Sequence, residues 1–341
     1  MALRDVPTFT KAAPSPERFF ELANAYQSTT ALRAAVELDL FTTIHKGAKT
    51  AEDIAHSIGG KERGVRILCD FLATDGLLEK RDSSYSLAPD AEQFLVRTSP
   101  AYIGSALQFL HSSHVMQNFN CLADTVRGAA PQNSSLQPDH PMWQNFARAM
   151  ASFMKLPATL IANHLRAHQA TPWKVLDIAA GHGMFGITIA QQNPNARIVA
   201  VDWGGVLEVA KQNAQAAGVS DRYSTIAGDA FKADWGTGYD LVLLTNFLHH
   251  FDFATNVNLL RKVHAALADK GRAATLEFVP NEDRISPKVA ARFAMQMLGG
   301  TPAGDAFTFS ELDLMFREAG FSRSELLPLR PTPESLVISH R

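Results

Sequence analysis

The sequence predicts an α/β fold: a doubly wound, mostly parallel sheet in the second half, behind a helical domain with a two-stranded wing. Three observations predict it. From residue 173 onward, strand-length apolar runs alternate with helical patterns, as βαβ units require. A glycine turn, Gly181-His182-Gly183-Met184-Phe185-Gly186, joins the first of those strands to its helix. The last two strand segments, 322–330 and 334–340, are separated only by Pro331-Thr332-Pro333. No crossover helix fits there, so they must pair antiparallel.

Bulk properties narrow the class. The chain has 341 residues, 46% of them hydrophobic, enough for two domains and a sizeable core. A formal net charge of -2 argues against a large nucleic-acid footprint. Cys69 and Cys121 give neither a disulfide framework nor a zinc spacing, which favours a reducing, cytoplasmic setting and no metal. No apolar run approaches the ~18 residues of a membrane span, and the first sixteen residues lack the apolar core of a signal peptide. A soluble protein with no membrane partner is expected.

In chain order, residues 1–16 read as an arm. A helix from Pro16 carries Phe19, Phe20, Leu22 and Tyr26, and a second runs from Thr29 or Thr30 to Leu38. Thr50 and Asp53 form a capping-box-like helix start. A helix with Val65, Leu68 and Leu72 follows Gly59-Gly60, and strands at Gly76–Lys80 and Tyr85–Leu87 make the wing. This winged-helix domain, residues 1–100, raises a DNA-binding reading. Its would-be recognition helix, however, mixes Lys61, Arg63 and Arg66 with Glu62 and Asp70, a poor surface for phosphates. A packing or dimer-forming platform fits better.

Residues 101–170 read as a helical linker. Phe109, His111, His114, Met116 and Phe119 fall on its first helix, and Pro131 to Pro141 reads as a loop. In the helix Trp143–Met154, residues Phe146, Met150, Phe153 and Met154 share one face. That face serves as core or as a pocket wall, since Met and aromatic side chains adapt to flat ligands.

Residues 171–341 form the doubly wound domain, with strands at 173–178, 196–201, 223–228, 239–245 and 272–279 before the final pair. The turn after the first strand formally matches a dinucleotide fingerprint. Asp177, at the strand end, favours a cation lying over the turn instead. S-adenosylmethionine (SAM), with its ammonium and sulfonium, fits better than a pyrophosphate. A parallel sheet closed by an antiparallel hairpin is also the class I SAM-methyltransferase version of the Rossmann plan. Asp202 ends the second strand, where an acid can accept both ribose hydroxyls; Trp203 beside it can lie against adenine. Asp229, followed by Ala230 and Phe231, ends the third strand, where a carboxylate can meet the adenine amino group. Asn246, His249, His250 and Asp252 follow the fourth strand, at the sheet edge where ligands sit. His249 can accept a proton at neutral pH, and Glu277, ending the fifth strand, can fix its tautomer. A metal site from His249, His250 and Asp252 is disfavoured, because adjacent histidines in a strand point to opposite faces.

These residues together resemble the small-molecule O-methyltransferase family that includes caffeic acid and hydroxyindole O-methyltransferases, over nearly the whole chain. The resemblance implies an N-terminal dimerisation domain and a homodimer, SAM as cofactor and S-adenosylhomocysteine (SAH) as product. Asp177, Gly181 and Gly183 match the family's glycine loop, with Ala179 where a glycine is usual. Asp202 and Asp229 match its ribose and adenine acids, His249 its catalytic histidine, and Glu277 the first of two histidine-orienting acids. At the second acid's place stands Ala306, with Asp305 beside it as the expected substitute. Phe109, Phe146, Met150, Phe153, His250, Met295 and Met297 are the expected acceptor contacts. Two alternatives stay open: a C- or N-methyltransferase of the same fold, and a winged-helix regulator with a SAM-like sensing domain.

Overall fold

The computed structural model describes residues 14–131, 140 and 142–341. Nearly all of the expected arm, and most of the 131–141 connection, lie outside the described residues. Two compact units emerge, one ending at Gly104 and the other beginning at Ser105. Among the described residues no helix is long and apolar enough to cross a membrane.

The first unit runs α1 (Glu17–Glu37), α2 (Leu40–His45), α3 (Ala51–Ile58), α4 (Glu62–Thr74), β1 (Leu78–Arg81), β2 (Ser84–Leu87) and α5 (Pro89–Leu95). Thr50 starts α3 as expected: its hydroxyl accepts the Asp53 N–H, and the Asp53 carboxylate accepts the Thr50 N–H. β1 and β2 pair antiparallel and form the wing. Leu40, Phe41, Ile54, Cys69 and Leu72 fill the core of this unit. The sequence reading divides residues 16–38 into two helices, but the structure has one. Thr29 and Thr30 do not break it, because both hydroxyls donate back to the Tyr26 carbonyl, at 3.0 and 2.7 Å. Phe19, Phe20, Leu22 and Tyr26 stand exposed on α1.

The second unit begins with short helices, α6 (Leu107–Leu110), α7 (Ser113–Asn120), α8 (Leu122–Val126), α9 (Met142–Met150) and α10 (Lys155–His164). Then come β3 (Lys174–Ile178), α11 (Met184–Gln192), β4 (Arg197–Asp202), α12 (Gly204–Ala216), β5 (Tyr223–Ala227) and β6 (Tyr239–Thr245). The chain finishes with α13 (Phe253–Ala266), β7 (Leu267–Glu277), α14 (Lys288–Gly300), α15 (Phe309–Glu318), β8 (Arg323–Pro328) and β9 (Ser335–His340). Two linker expectations change. Ser112 caps a new helix by accepting the Val115 N–H, so Phe109 sits on α6 while His114, Met116 and Phe119 sit on α7. The helix holding Phe146 ends at Met150. A single turn, with the Met154 N–H on the Met150 carbonyl at 3.0 Å, carries the chain to α10. Met150 and Met154 still share one core, with Phe146 and Phe153 packed against it.

The seven-stranded sheet has the order β5-β4-β3-β6-β7-β9-β8. β9 pairs antiparallel with both β7 and β8, as the Pro331-Thr332-Pro333 link requires. Ile161, Phe185, Ile187 and Leu243 fill the layer on one face, and Leu260, Val263, Leu312 and Met315 the other. Strand order reverses between β3 and β6, which opens a crevice at the carboxyl ends of those strands.

Candidate active site

The donor side of the crevice is built mainly from backbone. Ala179, Gly181 and Gly183 all take positive φ, at 53°, 57° and 75°. Only glycine does so without strain, so Ala179 bears a local cost. Gly183 is also fixed by space: a Cβ there would lie 2.6 Å from the Tyr223 hydroxyl. The space a Cβ would enter at Gly181 is nearly open, with the Ala179 carbonyl 3.9 Å away. Asp202 accepts the Gly181 N–H at 2.8 Å and the Trp203 N–H at 2.7 Å, one on each oxygen. Each oxygen keeps a lone pair, which suits a pair of hydroxyls. Burial raises the Asp202 pKa to about 6 against the pull of those two bonds, leaving it mostly ionised at pH 7.

Asp177 behaves differently from its sequence reading. Its carboxyl is fully buried under the turn and accepts the Gly186 N–H at 3.1 Å. Burial pushes its pKa to about 8, so a buried proton is favoured at neutral pH and no open charge faces the turn. Its other oxygen has no hydrogen-bond partner among the described residues. It anchors the loop to α11, and Asp202 is the acid on the open side. Asp229, after β5, accepts the Phe231 N–H at 2.9 Å. Trp203 is half-buried and packs beside Trp143, Ala147 and Val206.

The acceptor side is built from side chains. Leu248–His250 forms a 3-10 turn after β6. Glu277 accepts the N–H groups of Phe247, Leu248 and His249 on one oxygen, at 3.1, 2.8 and 3.4 Å. Its other oxygen lies 2.5 Å from His249 Nδ1. One carboxylate thus shapes the turn and orients the ring, leaving Nε2 to face a proton donor. Gly304 permits the next approach, since a Cβ there would lie 2.2 Å from the His249 carbonyl. Asn246 takes φ 54°, its amide reaches Met154 Sδ at 3.6 Å, and its buried Oδ1 has no partner among the described residues.

A run of rings leads to His249. Phe109 meets Phe146 (centroids 4.8 Å), Phe146 meets Trp143 (5.5 Å), and Trp143 meets His250 (5.8 Å). His250 then lies 4.3 Å from His249. Burial first, and His249 second, hold the His250 pKa well below the usual histidine range, so it stays neutral. On the far side Phe293 meets His249 at 4.8 Å and stacks on Phe278 at 4.1 Å. Sequence reasoning did not single out Phe293, because it did not recognise α14 as a helix, nor Phe278, whose part depends on the Phe293 ring stacked on it. Once α14 is drawn, Phe293 and Met297 share a face at i, i+4, and Met297 is buried. Met295 falls about 200° round the helix from Phe293 and is 47% exposed, so it is not a wall of this site.

Asp305 is also corrected. Only its backbone N–H touches the His249 segment, on the His249 carbonyl at 3.0 Å. Its carboxylate accepts the Ala306 N–H at 2.8 Å and pairs with Arg284 at 3.3 Å. The Arg284 cation draws that charge away from the His249 ring. The second acid's place is therefore empty of a carboxylate directed at His249. Asp252 spends its side chain capping α13 on the Thr255 N–H at 2.7 Å. Among the described residues no group of three or more His, Cys, Asp or Glu could hold a metal ion.

A parallel sheet with an antiparallel closing pair, a glycine turn, and acids ending successive strands define a SAM-dependent methyltransferase. A model described as "O-methyltransferase domain" matches residues 117–322, and one described as "O-methyltransferase dimerisation domain" matches residues 20–97. The chain belongs to the O-methyltransferase family. It is 29% identical over 313 residues to 3-hydroxy-5-methyl-1-naphthoate 3-O-methyltransferase of Streptomyces sahachiroi, covering 90% of each chain. It is 26% identical over 314 residues to L-tyrosine C(3)-methyltransferase of Streptomyces lavendulae, covering 88% of this chain and 84% of that one. A solved structure of a candidate O-methyltransferase from Nostoc punctiforme superposes with a TM-score of 0.92 at 48% identity, covering 97% and 100% of the two chains.

Proposed function

We propose that the protein transfers a methyl group from SAM to a hydroxyl of a small aromatic or conjugated molecule, with His249 as general base. The His249–Glu277 pair at 2.5 Å carries this reading. SAM supplies an electrophilic methyl group on a sulfonium. Asp202 would accept the ribose hydroxyls, Asp229 and Phe231 would meet the adenine, and the turn from Ala179 to Gly183 would hold the amino-acid end. His249 Nε2 takes the proton of the acceptor hydroxyl, and Glu277 stabilises the imidazolium that forms. The rings from Phe109 to His250, with Phe146, Met150 and Phe153, form an apolar wall that orients a flat acceptor and excludes water. Positioning and desolvation supply most of the rate. We further infer a homodimer through the first unit, which the dimerisation-domain match and the exposed apolar residues of α1 support.

A second reading has one observation in its favour. With Ala306 where a second acid is usual, and a C-methylating relative at 26% identity, the methyl can fall on carbon, with His249 positioning the acceptor. A DNA-binding role draws less support: Asp70 engages Arg66 at 2.8 Å and Lys80 at 2.6 Å, which removes two cations from the wing face. Titration with SAH, followed by labelled SAM with phenols, hydroxyindoles and hydroxyquinones, tests the proposal. SAH binding and label on an acceptor oxygen are expected. No SAH binding refutes the cofactor assignment, and label on carbon selects the second reading.

A further inference from the structure

Lys262, on α13, has no part in the roles described so far. An ammonium carries three N–H donors, and three backbone carbonyls accept from this one: Ala230 at 3.1 Å, Phe231 at 3.3 Å and Ala233 at 2.6 Å. The nitrogen also lies 3.7 Å from the centroid of the buried Trp235 ring. Burial pulls the Lys262 pKa down, and the nearby Asp229 and Asp234 carboxylates pull it back. Three carbonyl oxygens turned towards one point repel each other unless a cation sits there. Lys262 therefore favours this facing of the peptide planes, alongside the Lys232 and Ala233 N–H groups that donate to the Asp229 carbonyl at 3.0 and 2.8 Å. With those oxygens turned to α13, the Phe231 N–H is left to the Asp229 carboxylate at 2.9 Å. The Phe231 ring rests on Phe251 at 4.9 Å.

We propose that Lys262 is a positioning residue for the adenine end of the methyl donor: it gathers the carbonyls after β5 and so fixes Asp229 and Phe231, without touching the donor itself. The inference rests on the cofactor reading above. It makes donor affinity depend on a side chain behind the binding surface.

Calorimetric titration with SAH of wild type, Lys262→Met, Lys262→Arg and Lys174→Met tests it. Lys174 is the structural control. Its ammonium also sits over a ring, 4.3 Å from the Tyr239 centroid, and donates to the Thr237 carbonyl at 2.7 Å, but at the amino end of β3, away from the crevice. Lys262→Met is expected to bind SAH about tenfold more weakly, Lys262→Arg to recover to within threefold of wild type, and Lys174→Met to bind as wild type does. Weakening of less than threefold in folded Lys262→Met overturns the proposal, as does equal weakening in Lys174→Met. Should Lys262→Met show no melting transition, Lys262→Gln takes its place under the same threshold. Wild type that fails to bind SAH refutes the cofactor reading itself.

Discussion

The two halves of the crevice are made by different means. On the donor side, β3 runs into a turn whose shape comes from three positive-φ residues and from backbone N–H groups held by Asp177 and by Asp202 at the end of β4. On the acceptor side, the surface is a set of side chains drawn from α6, α9, the turn after β6, and α14. A backbone-built site is set by local sequence and tolerates little change. A site built from side chains of separate segments can be recut by substitution while the sheet stays as it is. Such a division lets acceptors differ over one sheet, as the names of the naphthoate 3-O-methyltransferase and tyrosine C(3)-methyltransferase relatives differ.

Four substitutions would break or sharpen that contrast. The largest effect is expected from the residue proposed as general base. His249→Ala should lower kcat by about 10²–10⁴-fold, measured by label transfer from SAM, with SAH affinity within about threefold of wild type. Glu277→Gln should lower kcat by about 10–100-fold, because an amide still accepts the turn's N–H groups but no longer stabilises the imidazolium. On the donor side, Gly183→Ala forces a Cβ against the Tyr223 hydroxyl at 2.6 Å, at a φ of 75°. A loss of about 1–3 kcal/mol in stability is expected from such strain, read in urea unfolding, together with weaker SAH binding. The smallest effect is expected at Asp305, whose carboxylate belongs to Arg284. Asp305→Ala should change kcat by less than about twofold, and a drop like that of Glu277→Gln would return it to the catalytic group.

A pH measurement separates the two acids of the turn. Burial raises the Asp177 pKa from 3.8 to about 8. The folded state therefore holds a proton that the unfolded chain has released, and this group's contribution to stability falls as pH climbs through that window. Above it there is no further loss. The melting temperature of wild type should thus fall relative to that of Asp177→Asn between pH 6 and pH 8, since an amide keeps the Gly186 bond without ionising; the buried His182 and His250, whose pKa values burial lowers, push the other way equally in both proteins. An unchanged slope in Asp177→Asn would place the titrating group elsewhere.

Legibility in the sequence follows the same division. The glycine turn, the acids at 202 and 229, and the Pro331-Thr332-Pro333 hairpin are local patterns, and the structure holds them where the pattern put them. His249 and Glu277 could be paired because His249 follows the end of β6, Glu277 ends β7, and those strands are neighbours. Phe293 was not legible, since its closeness to His249, and its stacking on Phe278, depend on how α14 folds back over the sheet. Nor was the fate of Asp305, which turns on Arg284, twenty-one residues earlier in the chain. Asp177 was legible as the acid at the strand end but not as a buried one, because burial depends on Gly186 leaving room for its carboxylate.

The most direct test of the account is to incubate wild type and His249→Ala with SAM labelled with carbon-13 at the methyl group, beside the hydroxylated aromatic panel, and to read the products by NMR. The account predicts an O–CH₃ signal from wild type and its near-absence from His249→Ala. A methyl on carbon or nitrogen, or equal O-methylation by both proteins, would contradict it.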